Sequence, residues 1–299
     1  IIEAAPSIMG ETSNCDYQKN RAKNTMSQAK HLMLIGTGHV AKTIIELQKG
    51  KQRIIATTRN PNRIFELAEL KIEPLIMPLP SAELITPLAE GADILVSFPP
   101  DGSTDAILAP ACANARSIIY ISSTGVYGSK TGKIDDTTTV DQNDERMRPR
   151  LAAESIWREH GAMVLRVPGI YGPKSGLHLR LQDGSFKMPA EGGNLISRIH
   201  VEDLANIIIE IFNRGKLTDS TYLVGDAHPC TLGEVVSWLS NEMNVAMPES
   251  VPIQDANHTL RGNRAVDSSR LLQELKYKLK YPSFKEGYRQ CLHSNSNGG

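Results

Sequence analysis

From His31 onward the chain alternates between short apolar runs and stretches of helical spacing. The run HLMLIG stops at Gly36, and VAKTIIELQK follows with Val40, Ile44 and Leu47 on one helical side. RIIATTR is a second strand candidate, and PNRIFELAEL opens with a proline, which suits a first helical position, and continues as a helix. KIEPLIMPL reads as a weak third strand interrupted by prolines, ADILVSFPP as a fourth, TDAILAPACAN as a helix and RSIIYISS as a fifth strand. After a polar loop, a helix is expected from Pro149, with Leu151, Ala152, Ser155 and Ile156 lining one face, and then a sixth strand in AMVLRVPGIYG. Strands alternating with helices imply a parallel sheet covered on both faces. The continuous apolar strand runs are what such a doubly covered sheet requires.

Beyond Gly172 the rhythm changes. PKSGLHLRLQDGSFKMPAEGGN is rich in glycine and polar residues. HVEDLANIIIEIFNRG and TLGEVVSWLSNEM read as helices, the second with Thr231 as N-cap and Glu234 at the capping-box spacing. STYLVGD reads as a strand and DSSRLLQELKY as a short helix. The expected class is α/β: a doubly wound parallel sheet over residues 30–176, with a smaller C-terminal substrate lobe formed mainly by residues 177–291, some of whose elements pack back on the sheet. Residues 1–29 lack sustained periodicity and read as a disordered extension in which Met26 is a candidate natural start; residues 292–299 read as a frayed tail.

Composition narrows the function classes. The 299 residues carry 33 basic and 33 acidic side chains, so nothing electrostatic favours nucleic acid or an anionic membrane surface. No apolar run approaches the length of a membrane-spanning helix, and the N-terminus lacks the basic start and apolar core of a secretory signal. Cys15, Cys112, Cys230 and Cys291 are scattered without metal or disulfide spacing, so neither a zinc site nor a disulfide framework is expected, and a cytoplasmic location is.

The segment IGTGHVA carries the first chemistry. Gly36, Gly38 and Ala41 follow the pattern G-x-G-x-x-A at a strand-to-helix junction, the pattern of a dinucleotide-binding Rossmann turn. Gly36 makes the tight turn, Gly38 lets a pyrophosphate approach the backbone, and small Ala41 lets helix and strand pack closely. Thr37, His39 and Val40 complete the turn, and the free N–H groups of the helix start face the phosphates. An NAD site usually has an acid at the end of the second strand. Here Thr58 stands there and Arg59 follows, which favours NADP(H) over NAD(H), because an arginine accepts a 2′-phosphate.

At YISSTGVYG the chain resembles the extended short-chain dehydrogenases/reductases of the epimerase/dehydratase branch. VLRVPGIYGP, ISRIHVEDLANII, YLVGD and RAVDSSRLLQELKYKLKYPSFKEG match that family in order, over roughly residues 31–291. The resemblance implies that Ser123 is the catalytic hydroxyl that binds the substrate oxygen. It also implies that Ser97, Phe98, Pro99 and Ser122 lie along the cofactor, with Pro168, Gly169 and Ile170 near the nicotinamide. Thr124 and Gly125 stand where nucleotide-sugar dehydratases carry an acidic pair, and Tyr127 matches a mainly structural tyrosine.

The family's Tyr-x-x-x-Lys pair is missing. Matching RLAAE puts Arg150 in the lysine position and Arg146 in the tyrosine position, and no tyrosine lies between Tyr127 and Tyr171. Arg150 retains donors for ribose hydroxyls or a phosphate but cannot give up a proton at neutral pH. Arg146 and Arg148 read as solvated cations paired with Asp141, Asp144 or Glu145. Tyr127, Tyr171, His178 and His200 are the remaining titratable groups, His200 reading rather as a cap or packing residue. Two functions stay open. One is an NAD(P)-dependent oxidoreductase or epimerase-like enzyme with a rearranged acid/base site, acting on a small carbonyl, alcohol or nucleotide-sugar-like substrate. The other is a non-catalytic NADP(H) sensor. The resemblance also suggests a homodimer through the helix containing AAESIW and its neighbour.

Overall fold

Seven parallel strands form the central sheet of the computed structural model, which describes residues 31–215 and 217–296. The extension expected over residues 1–29, with Cys15 and Met26, lies outside the described residues. The strands are β1 (His31–Ile35), β2 (Arg53–Thr58), β3 (Glu73–Ile76), β4 (Asp93–Val96), β5 (Ser117–Ser123), β6 (Met163–Val167) and β7 (Thr221–Leu223), in the spatial order β7-β6-β5-β4-β1-β2-β3. The order reverses direction at β1, between its neighbours β2 and β4, and that crevice is where a doubly wound sheet binds its ligand. β3 tolerates Pro74 because it is an edge strand with only one neighbour to pair.

The helices are α1 (His39–Gln48), α2 (Ile64–Glu69), α3 (Ala82–Ala89), α4 (Thr104–Ala111), α5 (Arg148–Glu159), α6 (Leu177–Gln182), α7 (Val201–Arg214), α8 (Leu232–Met243), α9 (Ser269–Leu275) and α10 (Phe284–Ser296). One sheet face is covered by α1, α7 and α9, through Ile44, Ile45, Leu204, Ile208 and Leu271. The other is covered by α3, α4 and α5, through Ile85, Leu108 and Trp157. A separate apolar cluster joins α6, α8 and α10 through Leu181, Val235, Leu239 and Tyr288. Of residues 177–291, then, α7, β7 and α9 pack with the main sheet, and α6, α8 and α10 build the lobe.

Three expectations need correction. No element is expected where α3 lies; the helix forms there with Pro87 inside it, and Ser81 caps it by accepting from the Leu84 amide. The tail expected over 292–299 is helical through Ser296, as the last turns of α10. The face expected for α5 is half right: Leu151 and Ile156 are partly buried against the apolar clusters, but Ala152 and Ser155 are exposed, and the fully buried positions are Ala153, Glu154 and Trp157. A charged residue takes a core position there because it has partners, which apolar periodicity does not register. The capping box of α8 is present, with Thr231 and Glu234 bonded reciprocally.

Candidate functional site

Gly36 ends β1 with φ +99°, and a Cβ there would stand 3.1 Å from the Phe98 amide nitrogen. Two bonds lock this turn: the Gly36 amide donates to Thr57 Oγ1 (3.1 Å), and Ser97 Oγ donates to the Gly36 carbonyl (3.1 Å). Gly38 differs. It caps α1 with an unstrained backbone (φ −77°, ψ −166°), and a Cβ there would meet no atom within 4 Å. Neither strain nor packing within the chain asks for a glycine at this place. The open backbone leaves room for a group that approaches it from outside. The start of α1 has no side-chain cap and no acidic residue in its first turn, so its free amides and positive dipole end face the crevice. The turn therefore fits a diphosphate.

A cleft of 330 Å³ opens from this turn, and Gly36, Thr37, Gly38, Thr58, Arg59, Ser97, Phe98 and Pro99 all line it. Its rim contains a residue that sequence reading missed: Arg63 donates to Thr37 Oγ1 (2.7 Å) and pairs with Glu66, whose carboxyl is held down to about 2, chiefly by Arg63 and then by Lys42. The Asn60–Pro61 turn that starts the next helical segment is the signal that places it there. Arg59 is exposed and bridges the cleft mouth to Asp101 (2.7 Å) and Thr104 Oγ1 (2.9 Å). The Asp101 carboxyl is held low mainly by the hydrogen bond from the Thr104 hydroxyl, with Arg59 contributing less. His39 lies on the other side of the turn and lines a neighbouring groove with Lys42 and Lys174; burial lowers its pKa, and Lys174 adds to the effect. The Val40 side chain is buried in the core, so only its backbone is near the crevice.

A second cavity, of 170 Å³, begins at the end of β5. Ser123, Pro168 and Gly169 line it, together with Arg146, Met147 and Arg264. Ser123 Oγ accepts from the Gly125 amide (3.1 Å), which leaves its own proton to donate. Arg146 faces this cavity as well as solvent and pairs with Asp144 (2.8 Å), and Arg148 pairs with Glu145 (3.2 Å), both as read from the sequence. Arg264 Nη1 donates to the Thr124 carbonyl (3.0 Å), a contact across 140 residues that no motif announces.

The structure does not bring every named residue to that cavity. Arg150 lies outside its lining, on the sheet side of α5, and donates at 3.4 Å to Tyr120 Oη and at 3.3 Å to the Ile121 carbonyl. The Ser122 hydroxyl is engaged by Glu154 (2.5 Å), which also binds Arg166. Ile170 is half-buried in a short strand (Gly169–Tyr171) paired with Arg198–His200. None of the four alternative titratable groups lines the cavity either. Tyr127 is buried against Arg166, and burial raises its pKa; burial likewise raises that of Tyr171 and lowers those of His178 and His200. His200 caps α7 by accepting from the Glu202 amide. Among the described residues, the cavity lining includes no aspartate, glutamate, histidine, lysine or tyrosine. Cys112, Cys230 and Cys291 are buried free thiols, and no described helix is long and apolar enough to cross a membrane.

No protein-family model and no curated protein matches the chain. Solved structures do match it. The chain shares its fold with solved NAD-dependent epimerase/dehydratase-type proteins. A conserved protein of unknown function from Silicibacter pomeroyi is 29% identical with a TM-score of 0.76, over 89% of this chain and 99% of that one. The dTDP-glucose 4,6-dehydratase of Bacillus anthracis, in complex with NAD, is 18% identical with a TM-score of 0.73, over 90% of this chain and 98% of that one. The UDP-glucuronic acid 4-epimerase of Bacillus cereus, also with NAD, is 12% identical with a TM-score of 0.69, over 89% and 99%.

Proposed function

We propose that this protein binds a nicotinamide dinucleotide, NADP(H) in preference to NAD(H), and acts as an oxidoreductase or epimerase on a small carbonyl or alcohol compound. The observation that carries this reading is Gly38, an unstrained glycine open to the crevice at an uncapped helix start. Dinucleotide binding has further support from the solved structures of this fold that hold NAD. The preference for the 2′-phosphate rests on Thr58 in the place of an acid and on Arg59 and Arg63 at the cleft mouth.

A bound nicotinamide supplies hydride exchange. The chain's part is to place the substrate oxygen at Ser123 Oγ, whose proton is not used within the turn. In this reading Pro168 and Ile170, just beyond β6, would lie on the nicotinamide side, and Arg150, which donates to Tyr120 Oη and the Ile121 carbonyl, would hold the ribose. With no titratable lining group among the described residues, the proton that completes the alcohol comes from water. That lack is also the observation favouring the second reading, a non-catalytic NADP(H) sensor. The buried thiols suit a reducing cytoplasm, and Ile107 on α4 and Ala152 on α5, both exposed, suit a homodimer through those helices.

Calorimetric titration with NADPH and NADH tests the cofactor, and NADPH oxidation over a panel of aldehydes, ketones and keto-sugars tests the chemistry. Turnover that disappears in Ser123→Ala supports the enzyme; tight binding without turnover supports the sensor. Arg59→Ala is expected to weaken NADPH about tenfold, or about 1.4 kcal/mol, and to leave NADH within about twofold. The exposed pair with Asp101 holds Arg59 by no more than about 1 kcal/mol, so a 2′-phosphate can draw it away. Equal losses for the two nucleotides would remove Arg59 from cofactor discrimination.

A further inference from the structure

We infer that the cavity beside Ser123 is built for a substrate carrying a carboxylate next to its reacting carbon, a 2-oxo or 2-hydroxy acid, with Arg264 holding that carboxylate. This deepens the proposed function and rests on its reading of Ser123 as the donor to the reacting oxygen.

Arg264 is half-buried and lines the cavity, yet among the described residues it forms no ion pair with a carboxylate. Among the described residues its hydrogen bond is to the neutral Thr124 carbonyl. The buried Arg166, by contrast, has Glu154 at 2.8 Å. Burial disfavours the Arg264 charge, and Arg146 across the cavity adds repulsion. Asp144 offsets part of this but is itself engaged by Arg146. The remaining lining side chains are neutral, so this local group of two cations and one anion carries a net positive charge. A desolvated guanidinium without an anion is unfavourable, and a carboxylate supplied by a ligand would satisfy its planar fork.

Position sharpens the class. Arg264 binds the carbonyl of Thr124, the residue next to Ser123, so an anion on its fork lies close to an oxygen held by Ser123. The guanidinium is set by its backbone: residues Arg264–Val266 pair with Gly132–Ile134, and the Val266 amide donates to Ser197 Oγ (2.8 Å). The cavity of 170 Å³ has room for a small acid, on the order of five or six waters at about 30 Å³ each.

The test is calorimetric titration of the full chain, alone and saturated with NADPH, with oxalate against oxamide and with lactate against lactamide. The acids are expected to bind at least tenfold more tightly than the amides. Arg264→Gln should abolish that preference, Arg264→Lys should keep part of it, and Arg148→Gln, outside the cavity, should leave it intact. NADPH affinity within twofold of the parent in Arg264→Gln reports that the fold has survived. Equal binding of acid and amide, no heat from the acids, or acid binding indifferent to Arg264→Gln would each overturn the inference. Failure of NADPH itself to bind would sink the proposed cofactor instead, and the titration of the free protein would still decide the question of the acid.

Discussion

Replacing Glu154 by alanine is expected to destabilise the fold by about 3–5 kcal/mol, the effect of removing one partner from a buried ion pair. Glu154 is wholly buried on α5 and accepts from four donors: Ser122 Oγ (2.5 Å), Arg166 Nε (3.1 Å), Arg166 Nη2 (2.8 Å) and Arg158 Nη1 (3.3 Å). Without it, Arg166, only 8% exposed, keeps the Tyr127 hydroxyl at 3.1 Å as its neutral partner. An isolated guanidinium at that depth has lost its water without gaining an anion. The network ties α5 to the ends of β5 and β6, where Ser123 and Pro168 begin the candidate site. Glu154→Gln, which keeps an acceptor, should fall between alanine and the parent. Urea unfolding gives the comparison through the midpoint at constant slope. A loss below about 1 kcal/mol for the alanine variant would mean that water compensates Arg166, and that this network does not hold α5 in place.

The same residue shows where sequence reading stops. The order of strands and helices is legible because buried parallel strands are apolar runs and α1 and α7 bury one apolar side. The turn at Gly36 is legible because its chemistry is local: strand end, two glycines and a helix start within eight residues. Eight of the named cofactor residues accordingly line one cleft. On α5 the apolar count points to Leu151 and Ile156, while burial follows Ala153, Glu154 and Trp157. Glu154 is buried because a strand twelve residues later presents Arg166, and Trp157 because Asp105 of α4 accepts its indole N–H at 2.7 Å. Such pairings depend on which elements become neighbours, and periodicity within one segment has no access to that. Arg264 is hidden for the same reason, since only the folded chain sets a strand near the C-terminus against the turn after β5.

Gly38→Asp is expected to separate stability from ligand binding more sharply than any other single change. An aspartate at this N-cap would supply the side-chain acceptor that α1 lacks and place a carboxylate at the positive end of the helix. The backbone there is already extended, and a Cβ would meet nothing within 4 Å, so no strain offsets the gain. Loss of glycine also reduces the freedom of the unfolded chain. Together these should raise stability by about 0.5–1 kcal/mol, read as a higher melting temperature of the free protein. The same carboxylate would stand where a diphosphate approaches the turn. Two unit charges about 4 Å apart repel by about 4 kcal/mol at an effective dielectric constant near 20, which is on the order of a hundredfold to a thousandfold in affinity. NADPH affinity measured by calorimetry should therefore collapse while the melting temperature rises. Gly38→Ala, with added bulk and no charge, should give the smaller loss of about tenfold, because it denies the phosphate oxygens their close approach to the backbone without repelling them. If both variants bound NADPH as the parent does, the crevice at Gly38 would not be the diphosphate site, and the cofactor reading would lose the observation it stands on.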